Sequence, residues 1–259
     1  MLTLDKIYHA SYVLKGHIRY TDLIHSSDIC PGTDLYLKTE NLQVTGAFKI
    51  RGAFYKISQL SEDEKSRGVI ACSAGNHAQG VALASTRNGI KSLICLPDGA
   101  PISKVEATKK YGAQVKLVDG TYDDAYEEAL RLYEKEGYTF IHPFDDEDVI
   151  AGQGTIGLEI LEQLPDVECV IVPIGGGGLI SGVAMAVKKL NPNVKVYGVQ
   201  ASGAPSMQQA IAKGERITLD TVSTIADGIA VKTPGELTYE LCSKYVDEVV
   251  TVTDDEISS

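Results

Sequence analysis

Lys49 lies in the stretch TGAFKIRGAF (45–54), between Phe48 and Ile50 and close to Gly46 and Gly52. Lysine is ordinarily a surface residue. Placed among apolar neighbours at the start of a helix, its amine loses proton affinity, because burial and the positive helix N-terminus both disfavour the ammonium. A neutral amine can attack an aldehyde and later act as a base. The same spacing also fits an ordinary helix face with Lys49 exposed.

Two other stretches could do chemistry. PIGGGGLISG (173–182) follows a candidate strand and opens a candidate helix. Four glycines let the backbone turn sharply and aim several N–H groups at one point, and the helix end adds partial positive charge. The alternative is a plain tight turn, at a considerable cost in chain entropy. The loop lacks the Gly-Lys-Ser/Thr of a nucleotide-binding loop. Ser181 stands where a dinucleotide fingerprint needs its third glycine, and the next strand ends on Gln200 rather than an acid. A single phosphate monoester on a small cofactor fits best. In ACSAGNHAQGVA (71–82) a strand again meets a helix, with Ser73, Asn76 and His77 as side-chain donors for a carboxylate or phenolate oxygen. Asn76 and His77 equally fit simple helix capping. A reactive lysine together with a phosphate cradle matches the needs of pyridoxal phosphate.

These groups need a scaffold. Candidate strands are 35–38, 68–73, 92–97, 114–118, 139–143, 169–174, 194–199 and 248–252, rich in Val and Ile and mostly without strict alternation. Such runs imply burial on both faces, hence parallel sheets covered by helices. The segments 47–58, 103–112 (with Ser103 as N-cap), 125–137 and 150–164 read as helices. A (β/α)8 barrel is the alternative, but strand spacing is uneven and glycine-rich turns follow only two strands. An open doubly wound architecture in two domains fits better.

The totals are ordinary for a soluble globular protein. The 259 residues carry a net charge of −11, 44% hydrophobic and 23% charged residues. No basic run suggests nucleic acid. The 19 uncharged residues from Cys169 to Val187 approach a membrane span in length, but Pro173 and the four glycines interrupt them. The N-terminus lacks a signal-peptide core. Five widely separated cysteines show no CxxC or metal-finger spacing, and Cys72, Cys95 and Cys169 are expected as small buried hydrophobes in a reducing cytoplasm.

TGAFKIRGA, ACSAGNHAQGVA, IAGQGTIGLEI, VIVPIGGGGLISG and TIADGI follow one another in the order found in threonine dehydratases (threonine ammonia-lyases). The chain resembles that family, closest to the catabolic type, over nearly its whole length. The resemblance implies the tryptophan synthase β-like fold, fold type II of pyridoxal phosphate enzymes: two open, mostly parallel sheets with helices on both faces. Residues 1–44 and 147–259 would form the large cofactor domain and 45–146 the small domain. It implies Lys49 as Schiff-base lysine and base at Cα. Gly175, Gly176, Gly177, Gly178 and Leu179 would hold the phosphate through N–H groups. Asn76 would bond the phenolic oxygen, Phe48 would pack near the cofactor, and Gly228 would face it with backbone. Ser73, Asn76 and His77 would surround the substrate carboxylate.

The implied reaction is β-elimination of L-threonine to 2-oxobutanoate and ammonia, and of L-serine to pyruvate. Implied partners are these amino acids, further copies of the chain in a dimer or tetramer, and a nucleotide activator as in the catabolic type. No membrane or nucleic-acid partner is implied. Three departures stand out. The block often written TGSFK has Ala47 here. Serine racemases, the nearest alternative, carry a serine where this chain has Ala74, and acidic metal ligands near Gln200 and Ser206, so no metal site is expected. Family members also continue for several tens of residues beyond TVTDDEISS. They complete the large domain there and supply a serine to the pyridine nitrogen, so the large domain is expected to be incomplete. A catalytically impaired fragment that binds pyridoxal phosphate or another phosphorylated ligand is the alternative of another class.

Overall fold

The computed structural model describes residues 2–259. Packing divides the chain into two compact units: unit 1 is Met1–Ser11 with Phe144–Ser259, and unit 2 is Tyr12–Pro143. Residues 12–44 thus pack with unit 2, whereas the sequence reading groups them with the large domain.

The helices in chain order are α1 (Leu4–Leu14), α2 (Lys49–Ser58), α3 (Glu62–Arg67), α4 (Asn76–Arg87), α5 (Ile102–Lys110), α6 (Tyr122–Glu136), α7 (Glu147–Gln163), α8 (Gly178–Leu190), α9 (Ser206–Lys213), α10 (Glu236–Tyr245) and α11 (Asp254–Ser258). The strands are β1 (Leu23–His25), β2 (Tyr36–Lys38), β3 (Val69–Cys72), β4 (Ser92–Pro97), β5 (Gln114–Val118), β6 (Thr139–Phe140), β7 (Cys169–Pro173), β8 (Lys195–Ala201) and β9 (Glu248–Val252).

In unit 2 a parallel sheet runs β5-β4-β3-β6. Ile70, Cys72 and Cys95 pack on Ala125, Ala129 and Leu132 of α6. Every residue of β3 is buried, and α4 packs on the same strands, so α4 takes the other face. The two-sided burial expected from continuous apolar runs holds here. Local chemistry sets the helix limits. Thr121 and Asp124 form a capping box at the start of α6, and Gly137, with φ of 74°, ends it in the left-handed region. Pro101, not Ser103, precedes α5. The fixed φ of proline suits a helix entry, so Ser103 falls inside the first turn. A small antiparallel hairpin, β1–β2, completes the sheets of this unit among the described residues.

In unit 1 a parallel sheet runs β7-β8-β9, with α8 against β7 and α9 against β9. The apolar α7 and α8 pack closely: a Cβ on Gly182 would lie 2.6 Å from the Gly154 nitrogen. Only glycine permits that approach. β7 departs from expectation. Val170 and Val172 are buried, but Cys169, Ile171 and Pro173 alternate with them on an exposed face, and Ile171 is 63% exposed. Cys169 is therefore a surface thiol, not a buried hydrophobe. Among the described residues, no helix is long and apolar enough to cross a membrane.

Candidate functional site

Lys49 is the first residue of α2. It owes its position to two features of unit 2. A Cβ on Gly80 would lie 3.2 Å from the Lys49 carbonyl and the Ile50 nitrogen, so the bare Gly80 lets the start of α2 press onto α4. Two residues on, the fully buried Arg51 grips Glu40 with Nε at 2.8 Å and Nη2 at 2.7 Å. Thr21 adds a hydroxyl bond to the same carboxylate at 2.6 Å. This bidentate pair ties α2 to the 3-10 turn Glu40–Leu42.

The Lys49 amine donates to the Pro143 carbonyl at 2.8 Å and lies 5.5 Å from the Phe48 ring centroid. No carboxylate pairs with it among the described residues. Burial lowers its pKa from 10.5 to about 8. Beside it, His77 is buried at the second position of α4. Its Nε2 lies 2.9 Å from the Ile141 carbonyl. A carbonyl only accepts, so Nε2 carries the proton and donates. Burial first, and the nearby Lys49 second, push the His77 pKa down to about 3, so the ring is neutral at ordinary pH. Ser73 and Asn76 flank the same strand–helix junction. Ser73 is half-buried and accepts from the Gly75 N–H at 3.2 Å. Asn76 opens α4 and is exposed. Unit 2 thus gathers Phe48, Lys49, Ser73, Asn76 and His77.

Unit 1 carries the others. Gly175–Leu179 join β7 to α8, and Gly177 caps the helix with φ of 97°. The loop is held from several sides. A Cβ on Gly177 would meet Met207 at 2.7 Å and Thr238 at 2.8 Å, and one on Gly178 would meet Phe144 at 2.9 Å. The Gly176 carbonyl accepts from the Thr238 hydroxyl at 2.6 Å. The Gly177 carbonyl accepts from Ser181 N–H at 3.0 Å. The Gly176 and Gly177 carbonyls are engaged, while the first N–H groups of α8 have no intrahelical acceptor, as at any helix start. Gly228 lies in the exposed 3-10 turn Asp227–Ile229, and its carbonyl is 3.4 Å from where a Gly175 Cβ would sit.

Sequence reasoning missed Pro143, Phe144, Asp145 and Thr238. Asp145 accepts from Glu236 N–H at 2.9 Å and Thr238 N–H at 3.1 Å, fixing the start of α10. The one available signal was the run HPFDD just before a helix, which reads as a cap and no more. Gln200 is buried and accepts from Gln208 N–H at 2.9 Å.

A family model described as "Pyridoxal-phosphate dependent enzyme" matches residues 14–259. The chain belongs to this pyridoxal-phosphate dependent enzyme family. It is 56% identical to an L-threonine ammonia-lyase of Thermotoga maritima, covering 100% of this chain and 65% of the relative. It also resembles the processed form of threonine deaminase isoform 2 from Solanum lycopersicum, at 43% identity and a TM-score of 0.94, covering 98% of this chain and 70% of that one. A maize serine racemase is similar at 40% identity and a TM-score of 0.96, covering 99% of this chain and 78% of that one. The chain thus spans just under two thirds of the length of the Thermotoga relative.

The residues present fit the family's cofactor. An aldehyde needs a free amine, and Lys49 is half-buried, without a carboxylate partner among the described residues, and its pKa is lowered to about 8. A phosphate needs convergent N–H donors, and the loop ahead of α8 offers a helix start beside which the Gly176 and Gly177 carbonyls are already engaged.

Proposed function

We propose that the chain catalyses the pyridoxal phosphate-dependent β-elimination of L-threonine to 2-oxobutanoate and ammonia, and of L-serine to pyruvate. The observation that carries this reading is Lys49, a half-buried amine on a carbonyl rather than a carboxylate, with its pKa lowered to about 8. Likeness to the Thermotoga L-threonine ammonia-lyase supports the choice of reaction.

When bound, pyridoxal phosphate supplies an electron sink for the charge left at Cα. The residues of this chain do the rest. Lys49 holds the aldehyde end and then, as a free amine, takes the Cα proton; a pKa near 8 leaves part of it unprotonated at neutral pH. N–H groups of Gly175, Gly176, Gly177, Gly178 and Leu179 hold the phosphate. Asn76 bonds the ring hydroxyl, Phe48 packs beside the ring, and Gly228 faces it with backbone. Ser73, Asn76 and His77 receive the substrate carboxylate. His77 contributes there as a neutral ring, not as a cation.

The racemase likeness makes racemisation the second reading. Racemisation needs a proton donor on the second face of the substrate. Ala74, in the position where serine racemases carry a serine, has no donor, which favours elimination. By resemblance to the catabolic type, the working protein is a cytoplasmic homo-oligomer open to a nucleotide activator.

The test is borohydride reduction with pyridoxal phosphate followed by peptide mapping, beside a keto-acid assay. We expect a pyridoxyl mass on the Lys49 peptide, 2-oxobutanoate from L-threonine, and loss of both in Lys49→Ala. Full keto-acid production by Lys49→Ala rejects the reading. D-serine formed from L-serine without pyruvate selects racemisation.

A further inference from the structure

We propose that Phe144 is a positioning residue that sets the shape of the glycine loop, and through it the affinity for a phosphomonoester; the inference rests on the loop being the phosphate cradle. Phe144 stands at the start of the second segment of unit 1. Its ring occupies the space that a Gly176 Cβ would fill. Its own backbone and Cβ lie 2.9 Å from where a Gly178 Cβ would sit. The ring thus backs Gly176, while the Phe144 backbone and Cβ back Gly178.

The residue between them is clamped by other elements. Gly177 is pressed by Met207 of α9 and Thr238 of α10. Thr238 also bonds the Gly176 carbonyl at 2.6 Å. α10 is in turn fixed by Asp145, the neighbour of Phe144, at 2.9 Å and 3.1 Å from its first N–H groups. Phe144 therefore acts on the loop directly, and the segment it belongs to acts a second time through Asp145 and Thr238. N–H groups bind an anion well only when they converge, because each charge-assisted bond weakens steeply off line. Removing the ring gives Gly176 room to turn, and glycine turns freely. The donors then lose their common focus.

The experiment compares pyridoxal 5'-phosphate with pyridoxal, which lacks the phosphate. The readout is the concentration needed for half-maximal borohydride-trapped pyridoxyl mass on Lys49. The original chain should require less pyridoxal 5'-phosphate than pyridoxal. In Phe144→Ala the requirement for pyridoxal 5'-phosphate should rise at least tenfold, while that for pyridoxal stays within twofold. Phe144→Tyr should restore the preference. Thr238→Val should shift it in the same direction by a smaller factor. If Phe144→Ala does not fold, Phe144→Leu and Thr238→Val decide. A general loss of structure would raise both requirements together and overturns the inference, as does an undiminished preference in Phe144→Ala. No preference in the original chain overturns the cradle reading itself.

Discussion

The Lys49 amine donates to the Pro143 carbonyl at 2.8 Å, across 94 residues of chain. Two residues earlier, the Ile141 carbonyl receives His77. One short segment after β6 therefore serves both nitrogen groups of this part of the site. A carbonyl accepts from an amine in either protonation state. It does not lock in the ammonium as a carboxylate would, so burial dominates and the pKa falls to about 8.

The cofactor-free chain should accordingly show one unusually reactive lysine. Competitive labelling with an amine reagent, followed by peptide mapping, should give a Lys49 titration near pH 8, well below 10.5. A midpoint above 10 would contradict the environment described for it.

The same shift has a stability counterpart. The folded pKa lies below the unfolded value, so the folded chain binds fewer protons between about 8 and 10.5 and stability rises with pH across that window. Below it, the folded state carries a desolvated ammonium. Without cofactor, Lys49→Met should therefore be more stable at pH 7 by on the order of 2 kcal/mol. The advantage should vanish as pH passes 10.5. Denaturant melts at both pH values check this.

His77 gives the opposite boundary. With a folded pKa near 3 against 6.5 unfolded, its neutral form stabilises the fold above 6.5, and that contribution is lost as pH falls towards 3. His77→Gln, which keeps an N–H for Ile141, should flatten the acid limb of a pH–stability curve. An unchanged acid limb would place the acid sensitivity elsewhere.

Arg51 is fully buried against Glu40. Glu40→Ala leaves that guanidinium without its carboxylate and should destabilise the fold by about 3–5 kcal/mol. Glu62→Ala removes a partner of the exposed Lys65 pair and should change stability by less than about 1 kcal/mol. Equal losses in urea titrations would refute the distinction.

Gly182→Ala places a methyl against backbone of α7, where no side chain can swing aside. A loss of about 3 kcal/mol or more is expected. Circular dichroism melts, with Gly99→Ala at an exposed position with open space as the comparison, measure it.

Much of the fold was legible because its signals are local. The apolar runs from β3 to β9 mark strands, the glycines at 175–178 mark a strand–helix junction, and Lys49 stands out against its neighbours. What escaped was carried by distance or by partners. Nothing near Lys49 announces Pro143, and nothing in HPFDD says that Phe144 lies under Gly176. CVIVP reads the same whether one face or both are covered, because periodicity in a short apolar run does not reveal what packs on it. The candidate strand 35–38 is β2, but the helix α1 and the strand β1 went unassigned, since MLTLDKIYHASYVL mixes charges with apolar residues and a three-residue strand leaves too short a pattern.

The alternation along β7 that brings Cys169 to the surface also divides the thiols into two kinds. Cys30 and Cys169 are exposed, while Cys72, Cys95 and Cys242 are buried. A bulky maleimide should therefore modify two positions at once and three only as the chain opens. Cys72 and Cys95 would time the loosening of β3 and β4 in unit 2, and Cys242 that of α10 in unit 1. The chain carries separate clocks for its two halves, readable from the mass that each maleimide adds.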